Sequence, residues 1–406
     1  MPQRVDPHVV AGDDLEIRKS LAGVARASIV AAGFLPALVL RALNVRILPI
    51  MASRVGHLAL EPDCYVKEEQ LGLHPHYRAV ICAPRNSAAN QRLAEYWSAY
   101  FHVVRAPWAC FALRLLAFNE RLRVDVSSYA MVIRETATFG QIQKEWADRP
   151  PLLQLDAGDA ARGEQRLCDL GLPPGAWFVC VHCREEGYSA HDDHLHSFRN
   201  SAIDDYRLAM EAIVERGGWC IRVGDRSMTK LPPMRNVVDY AHHPLRADWM
   251  DVFLSARCQF FLGSPSGAYM MACVFGVPVA IANQAPLSTV LPFGKKDLGI
   301  PKLVWSNRQE RILTFPEILD SQVGDMRFTK DYVEAGVELI DNTPQEIRGL
   351  ALEQLERTTG KLTYTADDNA RQTGFKALLG PGHYTYGSES RVGRDFLREH
   401  ERLLAR

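Results

Sequence analysis

The chain has 406 residues, of which 47% are hydrophobic and 23% are charged. This length and composition are typical of a soluble globular protein of two domains, and they exclude a largely disordered chain. The 47 basic and 48 acidic residues give a net charge of −1. That balance argues against nucleic-acid binding and means that any anion must be held by a local site. Nine cysteines, an odd number scattered through apolar runs, favour a reducing cytoplasm.

The N-terminal segment raises the question of membrane contact. Residues 1–20 are polar and carry acids, so they do not match an export signal. Residues 21–40 are mildly apolar, but Arg26 interrupts them and Pro36 would kink a helix. We therefore expect a helix packed within the N-terminal domain. The alternative is peripheral contact with the inner face of an anionic membrane through residues 18–46.

The N-terminal half alternates short apolar runs with an amphipathic helix, and this alternation predicts a mostly parallel sheet. A proline- and glycine-rich stretch within 150–172 indicates a domain boundary, and we assign 1–165 to an N-terminal domain. The candidate strands are 45–50, 79–84 and 101–104, and the helix covers 90–100.

The C-terminal half shows the same alternation more clearly, which suggests one fold used twice. We assign 166–345 to a second α/β domain and 346–406 to C-terminal helices that pack back across both domains. Thr343 and Glu346 have the spacing of a capping box at the start of one of these helices. The candidate strands are 177–182, 219–224, 258–263 and 277–283 with a short apolar run at 236–238; the helices are 203–218, 248–256, one after Pro265 and 390–406.

A small Gly-Ser-rich loop, 263–268, lies between a predicted strand and a predicted helix. In an open parallel sheet, ligands bind outside the carboxyl ends of the strands, where loops lead into helix N-termini. Glycines there allow close approach of a ligand, and serines add hydroxyl donors. The sequence has neither a Walker loop nor GxGxxG. We predict a phosphate cradle, with a serine N-cap in a tight turn as the alternative; the residues are Gly263, Ser264, Ser266 and Gly267.

Polar residues follow three other predicted strands of the same half, in "HCREEGY", "GDRSM" and "DYAHHPLRADWMD". Because the carboxyl ends of parallel strands meet at one edge of a sheet, we expect these residues to converge on the loop. Arg184 could bind a diphosphate through two parallel hydrogen bonds, which lysine cannot supply. Arg199 and Asn200 are second candidates.

Residues 175–320 resemble the nucleotide-sugar domain of GT-B glycosyltransferases. "GSPSGAYMMACVFGVPVAI" is similar to a heptosyltransferase pattern, and "VHCREEGY" resembles the His-x-Arg element of fucosyltransferases. The assembly as a whole is similar to a family of bacterial glycosyltransferases found in surface-glycan and natural-product clusters. The resemblance implies an α/β fold of two Rossmann-like domains facing a cleft. It also implies that Arg184 and the 263–268 loop hold a diphosphate, and that the nucleoside lies near Gly224, Asp225, Asp239 and Tyr240. Glu185 replaces the second arginine of fucosyltransferases, so a GDP-fucose donor is not indicated.

Sugar transfer needs a base for the acceptor proton and positive or dipolar groups for the departing diphosphate. We predict His57, in a Gly56–His57 turn after the first strand, as the base, with Glu61 and Asp63 behind it. A purely structural histidine is the alternative.

Two further motifs are assigned to loops. Metal binding by "HDDHLH" (191–196) is not expected, because no recognised zinc spacing accompanies it. "GKKD" (294–297) is expected to be a loop with solvated lysines, or one that touches donor phosphate.

The function that we predict is metal-independent transfer of a sugar from a nucleoside diphosphate sugar to a glycan or small-molecule acceptor. The nucleotide sugar is a co-substrate, and no cofactor is expected. A sugar-nucleotide epimerase and a non-catalytic nucleotide or phospho-sugar binding protein remain alternatives. An NAD-dependent dehydrogenase is set aside because its glycine fingerprint is missing.

Overall fold

The computed structural model describes residues 33–126, 129, 138–187 and 193–405. The chain separates into two compact units, Met1–Thr138 and Phe139–Arg406. Both are mixed α/β with parallel strands. Among the described residues, no helix has the length and apolarity needed to cross a membrane.

The first unit contains a three-stranded parallel sheet in the order β1-β2-β3. All three strands and the helix before β3 agree with the sequence prediction to within two to four residues at their ends. Asn90 caps that helix by accepting a hydrogen bond from the Leu93 N–H at 2.8 Å. The elements are α1 Phe34–Ala42, β1 Val45–Leu48, α2 Val55–Gln70, β2 Arg78–Cys82, α3 Gln91–Tyr96, β3 His102–Val104 and α4 Pro107–Leu116.

Helix α2 continues through Pro62, a residue that lacks the N–H which would bind the Leu58 carbonyl. The indole N–H of Trp97 donates to that carbonyl instead, at 2.8 Å. Trp97 is completely buried. Its indole therefore satisfies a backbone group that proline leaves open in a buried helix.

The second unit contains a seven-stranded, entirely parallel sheet and a small antiparallel sheet, β11-β10-β12. Its strands are β4 Phe178–His182, β5 Trp219–Arg222, β6 Val237–Asp239, β7 Phe261–Gly263, β8 Val279–Gln284, β9 Leu298–Pro301, β10 Leu303–Ser306, β11 Arg311–Ile312, β12 Val337–Ile340 and β13 Arg391–Val392. Its helices are α5 Thr138–Trp146, α6 Ala157–Asp169, α7 Asp193–His196, α8 Arg207–Glu215, α9 Asp248–Arg257, α10 Ala268–Val274, α11 Phe315–Leu319, α12 Thr329–Glu334, α13 Pro344–Thr358, α14 Ala366–Ala377 and α15 Arg394–Glu399.

The strand order of the large sheet is β6-β5-β4-β7-β8-β9-β13. Without β13 this is the order 3-2-1-4-5-6 of Rossmann folds, in which the chain reverses its direction of progress between the first and fourth strands. Here that switch point lies between β4 and β7. The outer strand β13 lies in the stretch predicted as the C-terminal helix, which the structure forms only from Arg394 onward.

The boundary between the two units, at residues 138 and 139, lies before the predicted domain boundary at residue 165. Helix α6 spans that position and packs along its length on α9, where a Cβ on Gly163 would lie 2.1 Å from the Phe253 ring. Glu164 and Arg257 form an ion pair at 2.9 Å between the same two helices. Residues on both sides of 165 thus belong to one packed element.

Helix α13 has the predicted capping box. The Thr343 side chain accepts from the Glu346 N–H, and the Glu346 carboxylate accepts from the Thr343 N–H. Helices α13 and α15 pack within the second unit, α13 against α8 and against strands β8 and β9. The packing of the C-terminal helices across both domains stays a prediction.

Candidate functional site at the switch point

Two loops leave the sheet side by side at the switch point. One follows β4 and contains Arg184, and the other follows β7 and contains residues 264–267. Open α/β sheets bind ligands in the crevice at this point, outside the carboxyl ends of the strands. The sequence prediction therefore placed its principal residues at the edge where this topology favours a ligand.

Ser264, the residue that follows β7, joins the two loops through hydrogen bonds. The Ser264 hydroxyl accepts from the Arg184 N–H at 2.8 Å, and the Ser264 N–H donates to the His182 carbonyl at 3.1 Å. A Cβ on Gly263 would lie 2.6 Å from the same carbonyl. Gly263 was expected to admit a ligand, but in the structure it admits the backbone of β4.

Ser266, the second serine of the loop, also contacts another side chain of the protein. Its hydroxyl oxygen lies 3.2 Å from Nδ1 of His182, a buried side chain. Burial, reinforced by the charge of Arg222, lowers the pKa of His182 to about 4. His182 is therefore neutral at physiological pH, and it orients the Ser266 hydroxyl.

Helix α10 begins at Ala268, two residues later than expected. Within the predicted loop, Ser264 uses its N–H internally, and Pro265 has none. Among the described residues, no acceptor pairs with the backbone N–H of Ser266 or Gly267. These two N–H groups therefore remain for the predicted cradle.

Arg184 is anchored beside this loop by its other neighbours. Its Nε donates to the Asn200 side chain at 3.0 Å. The Asn200 carbonyl accepts from Nζ of Lys302 at 2.7 Å, and Lys302 pairs with Asp341 at 2.6 Å. The structure therefore brings Arg184, Asn200 and the loop after β7 together, and it adds a buried lysine that sequence reasoning missed.

Arg199 directly precedes Asn200 in the chain. Burial raises the pKa of Tyr269, the second residue of α10, and the nearby charge of Arg199 opposes that rise. Arg199 is thus close enough to α10 to act on it electrostatically. Accordingly, three predicted donor-binding residues outside the loop lie near the switch point of the large sheet: Arg184, Arg199 and Asn200.

Asp239 has a different environment from the one expected. Its carboxylate pairs with Arg222 at 3.0 Å and also accepts from the Leu231 N–H at 3.1 Å. His242 lies 2.9 Å from its second oxygen. With these three partners, Asp239 organises the polypeptide after β5 and β6; its contact with a nucleoside stays a prediction.

The remaining predicted nucleoside contacts have local structural partners. Asp225 accepts from the N–H and the hydroxyl of Ser227, at 2.8 and 2.6 Å. Gly224 has a φ of +145°, and a Cβ there would lie 2.2 Å from the Met228 sulfur. Tyr240 is buried, and its hydroxyl accepts from the Ala247 N–H at 2.8 Å. Tyr240 is a core residue, whereas Asp225 and Gly224 form the turn that ends β5.

In the first unit, His57 lies in the first turn of α2 and not in the predicted loop. Its Nδ1 is 2.6 Å from Glu61 Oε1, one helical turn further on. The Glu61 side chain is buried, whereas 31% of the His57 side chain is exposed. A carboxylate that holds one imidazole nitrogen and leaves part of the ring accessible is the arrangement used by histidine bases.

Asp63 does not join this pair. It is two residues beyond Glu61 and so points about 200° away around the helix. Its carboxylate lies 2.7 Å from Nζ of Lys67, and both side chains are buried. Asp63 therefore forms a structural ion pair on another face of α2.

The other motifs have structural positions as well. His191 and Asp192 lie outside the described residues, while Nδ1 of His196 is 3.2 Å from the Arg327 carbonyl. Residues 294–297 precede β9, so they lie at the opposite edge of the parallel sheet from the loop after β7. A contact between the lysines of 294–297 and a phosphate at the switch point is thereby excluded.

Among the described residues, one group of three side chains has the spacing of metal ligands: Glu346, Glu399 and His400. His400 lies 2.7 Å from Glu346, which also caps α13. These contacts give the group a structural role at the start of α13, remote in sequence from the switch-point loops.

The fold and the site define an α/β protein with a Rossmann-ordered sheet and a polar switch-point site. No family model matches the chain, and no curated protein matches it. Among solved structures, the chain is similar to a glycosyl transferase family 9 protein from Veillonella parvula, with 9% identity and a TM-score of 0.37 over 60% of this chain and 82% of that chain.

Two structures of TibC are also similar to parts of the chain. One is a bacterial iron-containing dodecameric glycosyltransferase from enterotoxigenic E. coli, with 13% identity and a TM-score of 0.35 over 60% of this chain and 58% of that chain. The other is the dodecameric iron-containing heptosyltransferase in complex with ADP-D-beta-D-heptose, with 12% identity and a TM-score of 0.37 over 63% and 62%. Because all three TM-scores are below 0.5, the function must be inferred from this chain's own residues.

Proposed function

We propose that the protein is a glycosyltransferase that uses a nucleoside diphosphate sugar, with its donor site at the switch point of the second unit. The observation that carries the proposal is the pairing of Arg184 with the loop after β7 through Ser264. This contact brings the backbone of Arg184 beside the loop whose Ser266 and Gly267 N–H groups have no acceptor among the described residues. A guanidinium and free N–H groups are the kinds of donor that a departing diphosphate requires, and this supports the proposal.

We further propose that His57 is the base that takes the acceptor proton. Glu61 would orient the imidazole and stabilise its protonated form. The two units would then act as the two Rossmann-like domains of the GT-B arrangement, with the donor on the second and the acceptor on the first. The diphosphate charge would be neutralised by Arg184, with Arg199 nearby, so the reaction would need no metal.

Helix α1 supports a proposal of contact with an anionic membrane surface at the cytoplasmic face. It exposes Phe34, Leu35 and Val39 to solvent by 51–71%, and Arg41 lies in its last turn. Apolar side chains flanked by basic ones are typical of helices that lie on membranes. Leu35→Asp should reduce co-sedimentation with phosphatidylglycerol vesicles; unchanged co-sedimentation would refute this part of the proposal.

The donor site can be tested by thermal-shift titration with UDP, GDP, ADP and TDP. A ligand that binds only the folded state raises the melting temperature as its concentration exceeds Kd. We expect at least one diphosphate to do so, Arg184→Gln to abolish the shift, and Arg207→Gln, a charge-matched surface variant, to retain it. If no diphosphate stabilises the wild type, the proposal fails.

Turnover distinguishes the classes of function. His57→Gln should keep the thermal shift but reduce acceptor-dependent release of nucleoside diphosphate by about a hundredfold or more. Conversion of the donor to another sugar nucleotide without acceptor would indicate the epimerase. Binding without turnover for a wide panel of acceptors would indicate the non-catalytic protein.

A further inference from the structure

A group of three cationic side chains lies at the amino edge of the large sheet, opposite the switch point. Arg357 belongs to the last turn of α13, Lys376 to the last turn of α14, and Arg391 begins β13. All three are partly buried. In the described part of the chain, none of them forms an ion pair with a carboxylate, in contrast to Arg222, Arg394 and Arg398 of the same unit.

Arg391 is the least satisfied of the three. Its guanidinium carbon lies 3.9 Å from the centroid of the Tyr364 ring. Its Nε is buried, and within the described residues its guanidinium donates no hydrogen bond. Burying a guanidinium without acceptors is costly, because the hydrogen bonds to water are lost and not replaced.

Arg357 has acceptors, but they are neutral. Its Nη groups donate to the Tyr364 hydroxyl and the Lys295 carbonyl, each at 2.7 Å. Its Nε is buried without a partner. Glu353, a buried acid on the same helix, is already used by the Tyr364 hydroxyl at 2.7 Å and the Arg394 N–H at 2.6 Å.

Lys376 donates to the Ser388 carbonyl at 2.9 Å. Burial and the charges of Arg391 and Arg357 lower its pKa to about 8, against an opposing effect of the exposed acid Glu389. The two arginines therefore repel the Lys376 ammonium electrostatically.

The helix dipole explains only part of this arrangement. Cations are favoured in the last turn of a helix, where Arg357 and Lys376 lie. That preference supplies no acceptor for the buried Nε groups of Arg357 and Arg391. An oxyanion would accept from the Arg391 guanidinium, which donates no hydrogen bond within the described residues, and it would neutralise the mutual repulsion at the same time.

We propose that Arg357, Lys376 and Arg391 bind the phosphate or diphosphate group of a small molecule, at a site separate from the switch point. Exposed Lys296 of the adjoining loop adds positive charge, whereas its neighbour Lys295 pairs with Asp148. Because the two sites lie at opposite edges of the sheet, this proposal is independent of the donor-site proposal. Either can fail without the other.

Titration calorimetry with pyrophosphate tests the site. The full chain carrying Arg184→Gln serves as the reference, since it lacks the cation proposed for the switch point. Pyrophosphate should bind this reference, and adding Arg391→Gln should weaken the binding at least tenfold. Adding Arg311→Gln, which removes an exposed arginine paired with Glu317 at 2.6 Å, should leave it unchanged.

A second measurement avoids substitution within the cluster. Acylation of Lys376 by an amine-reactive reagent at pH 8, followed by mass spectrometry of peptides, reports access to its amine. Pyrophosphate should slow acylation of Lys376 several-fold and leave exposed Lys361 unaffected. Equal rates at Lys376 with and without pyrophosphate would overturn the proposal, as would unchanged affinity in the Arg391→Gln chain.

Discussion

Glu185 lies 3.0 Å from the guanidinium of Arg222, a side chain with no exposed surface. The pair joins the loop after β4 to the end of β5. Asp239 approaches Arg222 from the other side, also at 3.0 Å. The residue that departs from the fucosyltransferase pattern therefore neutralises a buried arginine, and it holds the backbone next to Arg184.

Glu185→Gln should destabilise the protein by about 3 kcal/mol, the lower end of the range for breaking a buried ion pair, because Asp239 remains in place. Urea denaturation gives the free energy of unfolding. Glu186→Gln, at the exposed neighbouring position, is the matched control and should change stability by less than about 0.5 kcal/mol. Equal effects of the two variants would show that the ion pair contributes nothing.

Trp97→Phe should destabilise the first unit because the Leu58 carbonyl loses its donor, and Pro62 has no N–H to replace it. A buried carbonyl left without a partner costs about 1–3 kcal/mol, in addition to the smaller ring's lost packing. In a Pro62→Ala background, the new N–H can donate to Leu58. A double-mutant cycle should therefore give a smaller cost for Trp97→Phe in that background. The same cost in both backgrounds would contradict the role assigned to the indole.

Asp251 should make the protein less stable as pH rises. Burial raises the pKa of its carboxyl to about 7, against a partial opposing effect of Arg246 at 3.5 Å. Because this pKa lies above the ordinary value near 4, the folded state holds the proton more tightly than the unfolded state. The contribution of the protonated Asp251 carboxyl to the free energy of unfolding is fully present below about pH 4. It is lost as the pH rises from about 4 to about 7.

Asp251→Asn should remove this loss. The variant should match the wild type near pH 4 and exceed it at pH 8, by at most about 4 kcal/mol, from about 1.4 kcal/mol per pH unit. Urea unfolding at several pH values measures the difference. Asp204→Asn, at an exposed position, should show no such divergence. If the difference in free energy of unfolding between Asp251→Asn and the wild type does not increase with pH, the raised pKa of Asp251 is refuted.

Local patterns predicted most strands of the two parallel sheets correctly, but none of the small antiparallel sheet. Buried parallel strands consist of runs of β-branched, aromatic and small apolar residues, as in β4 and β8, and those runs are visible without coordinates. The short strand β13 carries no such signal, because two residues become a strand only by pairing with β9. Its position was therefore predicted as helix.

The candidate site was predictable in position but not in detail. Parallel topology alone brings Arg184 and the loop after β7 to one edge of the sheet. Which donors remain for a ligand depends on contacts between residues about 80 positions apart, such as Ser264 with Arg184 and Ser266 with His182. Sequence reasoning assigned both serine hydroxyls to a ligand, whereas the protein itself engages them.

The amino-acid sequence by itself determined the alternation of strands and helices, the capping box at Thr343 and the edge at which polar residues collect. Each of these follows from side-chain periodicity or from interactions within four residues. Only the tertiary structure decided the strand order, the burial of Arg222 between two carboxylates and the passage of α2 through Pro62. Those features depend on partners far apart in the chain, whose desolvation and hydrogen bonding are settled when the whole unit packs.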